Sequence, residues 1–181
     1  MATGNNMMKP HYIAIAAMTV DGKIAKSSTH LSTDWTSKED KKFLKQVLDT
    51  CDAVILGRNT YETAKALLVK RKRNCIVFTR RHGAGAVKGE KLTFMKPTKR
   101  ALEAFVKERK FRRLAVLGGS HVYSWCLRNG FMNELYLTIE PVIFGDGLSL
   151  FSETPPKKQL HLRTKKILNK KGTLLLHYDL R

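Results

Sequence analysis

Cysteine is scarce in this chain: Cys51, Cys75 and Cys126 are the only three among 181 residues. They are odd in number and far apart. Two lie inside apolar runs, Cys75-Ile76-Val77-Phe78 and Trp125-Cys126-Leu127. They read as small core thiols in a reducing cytosol, not as a disulfide frame or a ligand set. The six histidines show no metal-ligand spacing, so no metal is expected. No apolar run approaches the roughly 18 residues that a membrane span needs. Acidic residues are few, 15 against 34 Lys and Arg, which leaves a net charge of +19. That balance favours anionic partners but does not choose between nucleic acid, an acidic membrane face and a phosphorylated small molecule. Internal repeats, low-complexity stretches and interdomain linkers are lacking. So is the G-x-G-x-x-G pattern, which leaves a Rossmann assignment unsupported. The segment Met1–Lys9 has no apolar core, so it is not read as a signal peptide. Residues 1–10 are expected to be a flexible tail and residues 11–181 one domain.

What is present is a series of buried strands alternating with amphipathic helices. Tyr12 to Met18 is a continuous apolar run, as for a strand covered on both faces. Thr19 to Asp34 is polar and reads as loop. Ser37 has N-cap chemistry, and Phe43, Leu44, Val47 and Leu48 give the helix behind it one apolar face. Further strands are expected at Ala53–Gly57, Cys75–Thr79 and Leu114–Leu117. Helices are expected to open at Arg58, at Pro97-Thr98 and after Gly118-Gly119-Ser120. Glu134–Ile143, Gln159–Leu168 and Thr173–Leu180 read as strands, with Lys171-Gly172 as a tight turn. The fold class is therefore α/β: a mostly parallel central sheet flanked by helices, with an antiparallel C-terminal hairpin.

Glycines recur where buried strands end, at Leu56-Gly57 and Leu117-Gly118-Gly119. This places backbone amides and helix N-termini at one end of the sheet, where open α/β sheets bind ligands. Each turn taken singly also reads as an ordinary strand-to-helix connection, with Arg58 solvated and Thr60 capping. The span Lys65–Arg113 holds 17 Lys and Arg against 3 acids. Arg71-Lys72-Arg73 and Arg80-Arg81 flank its strand, as an anion pocket or as a solvated basic face. Asp40, near the start of its helix, either complements the helix dipole or points into an apolar pocket, where burial would raise its pKa.

In order and spacing these motifs resemble the dihydrofolate reductase superfamily over residues 11–181. Ile15 to Gly22 resembles the first strand and the start of the active-site loop. Trp35 and Asp40 have the spacing of the loop tryptophan and the catalytic acid. Gly57-Arg58-Asn59-Thr60-Tyr61-Glu62 is similar to G-R-x-T-[WY]-E, and Leu117 to Tyr123 to I-G-G-x-x-[VIL]-Y. Arg73 to Arg80 resembles the segment that meets the adenosine end of NADPH, and Glu134 to Thr138 with Gly145-Asp146 the closing E-L-x-L-T and G-D elements.

The resemblance implies hydride transfer from NADPH to the N5=C6 imine of 7,8-dihydrofolate, in a cytoplasmic enzyme, monomeric or homodimeric. It implies that Arg58 and Thr60 hold cofactor phosphates, and that Arg80 and Arg81 meet the 2′-phosphate. Gly57, Asn59, Thr79 and Ile24 complete the cofactor site. Gly118, Gly119, Ser120, His121, Val122 and Tyr123 line the pyrophosphate and nicotinamide, with His121 where an Arg is common. The Ala17 backbone touches pterin and nicotinamide. Asp40 bonds the pterin amidine, oriented by Thr138. Phe43 and Leu44 line the substrate site, and Arg73 clamps the folate carboxylate. Asp21-Gly22-Lys23-Ile24-Ala25 is closer to the superfamily's riboflavin-biosynthesis reductases, and the usual Pro-Trp pair is lacking between Ala25 and Trp35. On the other side, the D-N-P-x-L-x-x-R stretch and the deaminase zinc cysteines of the riboflavin branch are absent. Reduction of a phosphorylated ribosylaminopyrimidine is therefore the alternative. A nucleic-acid-binding protein is the alternative of another class, supported by charge alone.

Overall fold

The computed structural model describes residues 9–70, 73–81, 91–152, 154–155 and 157–180. Most of the expected tail, together with Arg71, Lys72 and His82, lies outside the described residues. Ten strands and five helices follow in order among them: β1 (His11–Thr19), β2 (Lys23–Ala25), α1 (Ser32–Trp35), α2 (Lys38–Asp49), β3 (Ala53–Gly57), α3 (Arg58–Lys70), β4 (Asn74–Phe78), β5 (Leu92–Met95), α4 (Lys99–Glu108), β6 (Arg113–Val116), α5 (Ser120–Asn129), β7 (Glu134–Glu140), β8 (Leu148–Ser149), β9 (His161–Ile167) and β10 (Leu174–Asp179).

Eight strands form one sheet in the order β5-β4-β3-β6-β1-β7-β10-β9. The pairs from β5 to β7 are parallel, and β10 runs antiparallel to both β7 and β9. Alternate residues of β1 feed the two sides of the sheet, as strand period requires. Tyr12, Ala14 and Ala16 join a core with Leu102 and Val106 of α4 and Val122 and Cys126 of α5. Ile13 and Ile15 join the opposite core with Val47 and Leu48 of α2 and Tyr61 and Leu68 of α3. Burial on both faces is why these central strands read as unbroken apolar runs.

The caps follow local chemistry. Ser37 accepts from the Asp40 amide at 3.2 Å, and Thr98 accepts from the Ala101 amide at 3.3 Å. The turn before β10 uses Asn169, whose side chain accepts from the Lys171 and Thr173 amides at 3.0 and 3.2 Å. Gly172 sits there at φ +90°.

Three expectations need correction. The polar stretch from Thr19 to Asp34 is not all loop. It contains β2, which pairs with the distant two-residue strand β8, and the single turn α1. A close approach permits that pairing: a Cβ on Gly147 would lie 2.4 Å from the Ala25 carbonyl oxygen. The strand expected to reach Ile143 ends at Glu140, because Pro141 offers no amide and Val142 turns back to bond the Glu140 carbonyl. β5 is an additional strand, parallel to β4 at the sheet edge. No helix among the described residues is long and apolar enough to cross a membrane.

Candidate active site

The sheet order reverses beside β1: the chain steps outward through β3, β4 and β5, then returns to place β6 between β3 and β1. A crevice opens at the carboxyl ends of such strands. Here it is a cleft of about 1310 Å3, lined by the end of β1, the turns after β3 and β6, α2, α3 and the segment around β8.

One wall is built from the two glycine turns. The Gly57 amide donates to the Gly118 carbonyl at 2.8 Å, which locks the turns together. Gly118 has φ +80°, and a Cβ there would lie 2.4 Å from the Tyr123 ring. Tyr123 is in turn held by its hydroxyl, which donates to the Ile15 carbonyl at 2.6 Å. Gly119 caps α5 with no side-chain hydrogen bond; the Val122 amide donates to the Gly119 carbonyl at 2.9 Å, and the Ser120 and His121 amides have no side-chain cap. Arg58, Asn59 and Thr60 line the cleft at the start of α3. Arg58 pairs with Glu62 at 3.6 Å and lies over the Phe94 ring. Arg80 and Arg81 are exposed at the far end, where the Thr79 hydroxyl accepts from the Arg81 amide at 3.2 Å. Ser120 donates to the Ser149 carbonyl at 2.5 Å, and His121 Nδ1 lies 2.8 Å from the Ser152 hydroxyl. Both bonds strap the β8 segment across the start of α5. Ala17 and Ile24 line the cleft beside these turns, and Val122 lies under them, 3.2 Å from where a Gly57 Cβ would stand.

The opposite wall is α2. Asp40 is 6% exposed yet borders the cleft. Burial raises the pKa of its carboxyl above the ordinary carboxylate range. Hydroxyls of Thr138 and Thr36 work against that shift, as does the charge of Lys41. The charge of Glu140 adds to it. The Thr36 hydroxyl is buried without a well-aligned hydrogen bond, so it acts on the carboxyl as a nearby dipole. Leu44 and Leu48 continue the Asp40 face at four-residue spacing, opposite Ala64, Leu67 and Leu68 of α3.

The structure thus brings Asp40 and Leu44 to one wall, with Thr138 of β7 buried beside the Asp40 carboxyl, and the glycine-turn residues to the other. Phe43 packs edge-on against Tyr136 at 5.2 Å, next to Leu44 against the core on the α2 side of the sheet. Arg73 borders the cleft, but its guanidinium donates to the Leu48 carbonyl and to Asp49, each at 2.5 Å. Lys41, Leu67 and the segment around β8 also line the cleft, though no sequence motif points to them. Glu140 follows Thr138 by two on the same face of β7 and likewise carries no motif. The Trp35 indole rests on Phe144, and its Nε1 is buried with no partner among the described residues.

The first wall fits a phosphorylated dinucleotide. Its backbone approach is unobstructed by side chains, an uncapped helix end faces the cleft, and Arg58, Arg80 and Arg81 supply positive charge along it.

Residues 10–176 match the RibD C-terminal domain family. An uncharacterized protein of Bacillus subtilis, YwjB, is 29% identical over 177 residues, covering 94% of this chain and 98% of that one. Among solved structures, a pyrimidine reductase-like protein of Corynebacterium diphtheriae superposes with a TM-score of 0.74 at 16% identity, over 95% of this chain and 92% of that one. A dihydrofolate reductase of Enterococcus faecalis complexed with NADP(H) gives a TM-score of 0.70 at 22% identity, over 93% of this chain and 95% of that one. The fold is therefore that of dihydrofolate reductase, and the chain belongs to the RibD C-terminal domain family.

Proposed function

We propose that this protein is an NADPH-dependent reductase of a pyrimidine-type heterocycle, with 7,8-dihydrofolate as its first candidate substrate. The observation that carries this reading is Asp40, the buried carboxyl that, among the described residues, borders the cleft across from the glycine turns. A carboxylate in that place recognises an amidine edge, an N–H beside an exocyclic NH2, through two charge-assisted hydrogen bonds.

NADPH, when bound, supplies the hydride. Arg58 and Thr60 would hold its phosphates with the amides at the start of α5. Arg80 and Arg81 would meet the 2′-phosphate. Ala17, Ile24 and Tyr123 would border the nicotinamide. Asp40, oriented by Thr138, would anchor the heterocycle and favour a proton at the imine nitrogen, N5 of a pterin. Burial keeps a proton on Asp40 to higher pH than an ordinary carboxyl, which suits that task. The β2 and β8 segments would exclude water from the reacting atoms.

Reduction of a phosphorylated ribosylaminopyrimidine is the second reading, favoured by two observations. The family match is to RibD, and Arg73 is already engaged by Asp49, so a folate carboxylate would have to displace that partner. NADPH oxidation followed at 340 nm with each substrate side by side separates them. Turnover with dihydrofolate supports the first reading. Turnover with the phosphorylated pyrimidine alone replaces it, and turnover with neither removes both.

A further inference from the structure

Behind Asp40 lies a second buried carboxyl that the proposed reaction does not use. Glu140 is 4% exposed and ends β7, two residues beyond Thr138. Strand period puts both side chains on one face, so β7 addresses the first turn of α2 twice. Thr138 meets the Asp40 carboxyl. Glu140 Oε1 accepts from the Ser37 amide at 2.7 Å, and Ser37 in turn caps the Asp40 amide with its hydroxyl. Glu140 Oε2 accepts from the Thr173 hydroxyl at 2.6 Å. Thr173 Oγ1 also accepts from Asn169 Nδ2 at 2.9 Å, and the same Nδ2 lies 3.1 Å from Glu39 Oε2. The hydrogen bonds close a ring from the β9–β10 turn through β7 to the start of α2.

An aliphatic side chain would fill this place without desolvating a charge. A carboxylate does two things that an aliphatic side chain cannot. It accepts from the N-terminal end of a helix and from a hydroxyl together, and it sets a negative charge behind Asp40. The other titratable groups around Asp40 are Lys41 on α2, which opposes that charge, and the phenol of Tyr123 on α5.

We propose that Glu140 is the positioning residue of the site: it fixes the first turn of α2 through Ser37, is itself fixed by Thr173, and places a second negative charge behind Asp40. Its consequence for turnover rests on the reductase reading above. Its effect on Asp40 itself does not.

The test uses the full chain and two variants. Glu140→Gln keeps the shape and an acceptor for Ser37 but removes the charge. The 13C titration of the Asp40 side-chain carboxyl, assigned by its loss in Asp40→Asn, should move to lower pH by roughly half a unit or more. With an active substrate, the falling alkaline limb of kcat should move the same way while the KM for NADPH stays unchanged. Thr173→Val keeps the charge and removes the anchor. Hydrogen exchange of the Ser37 amide should then accelerate by about fivefold to tenfold, the loss of one buried hydrogen bond. An unmoved Asp40 titration in folded Glu140→Gln overturns the proposal. So does unchanged Ser37 exchange in Thr173→Val, which decides the matter if Glu140→Gln does not fold. A moved titration in a protein that turns over neither substrate upholds Glu140 as positioning Asp40 and removes only the reductase reading.

Discussion

The two walls of the cleft hold their chemistry in different ways. At the glycine turns the contact surface is backbone, the helix end carries no side-chain cap, and Arg80 and Arg81 stand exposed. At α2 the key group is a side chain, Asp40, nearly sealed and surrounded by Thr138, Thr36, Glu140 and the Ser37 cap. A wall of amides and cations, two of them exposed, can receive any phosphate chain of the right length. A mostly buried carboxyl that borders the cleft, on a helix whose first turn is held by a ring of hydrogen bonds, can discriminate among ring systems. On the function proposed above, the first wall would carry affinity for a shared cofactor, and the second would carry substrate choice.

Substitutions at each wall should separate these roles. The largest effect is expected from Gly118→Ala. Its Cβ would enter the Tyr123 ring, at a φ of +80° that disfavours any side chain. Destabilisation of about 3 kcal/mol, a fall of about 10 °C in melting temperature, should accompany loss of NADPH binding, read by calorimetry and thermal unfolding.

Asp40→Asn comes next, and its effects should be opposite on activity and stability. Turnover should fall about 100-fold at neutral pH, the scale of a lost acid–base group, with NADPH affinity within about twofold of the original. Stability should rise instead. The folded state raises the Asp40 pKa, so it binds that proton more tightly than the unfolded chain does. Stability from this group is then full below the ordinary carboxylate value and declines as pH rises through the raised one. The variant's advantage in melting temperature should therefore grow from acid to neutral pH. An advantage that shrinks would break the comparison between the walls.

Arg80→Ala should weaken NADPH by about tenfold and leave NADH nearly unaffected, the scale of one charge-assisted phosphate contact. Equal losses for both nucleotides would remove Arg80 from the 2′-phosphate. Ser37→Ala, the smallest change, should cost about 1 kcal/mol, or about 3 °C, through its cap. A larger loss would show that the ring through Glu140 depends on the cap as well.

Legibility from sequence divides along the same line. The glycine turns, the Ser37 cap and Asp40 are readable because each is local chemistry: a strand, a small residue or a hydroxyl, then a helix. The apolar runs of β1, β3 and β4 announce their own burial. What is not readable depends on partners far along the chain. The three residues of β2 become a strand only by meeting the two of β8. Arg73 looks free in sequence but is held by Leu48 and Asp49, 25 and 24 positions earlier. Glu140 reads as one more polar residue within the strand expected over Glu134–Ile143 until Ser37, 103 positions away, bonds to it.

The most direct test of the central claim is calorimetric titration of the folded protein with NADPH. One saturable site per chain, with markedly weaker binding of NADH, is the expected result. An absence of saturable heat, with the protein shown folded by its thermal transition, would contradict a cleft that seats a phosphorylated dinucleotide opposite Asp40.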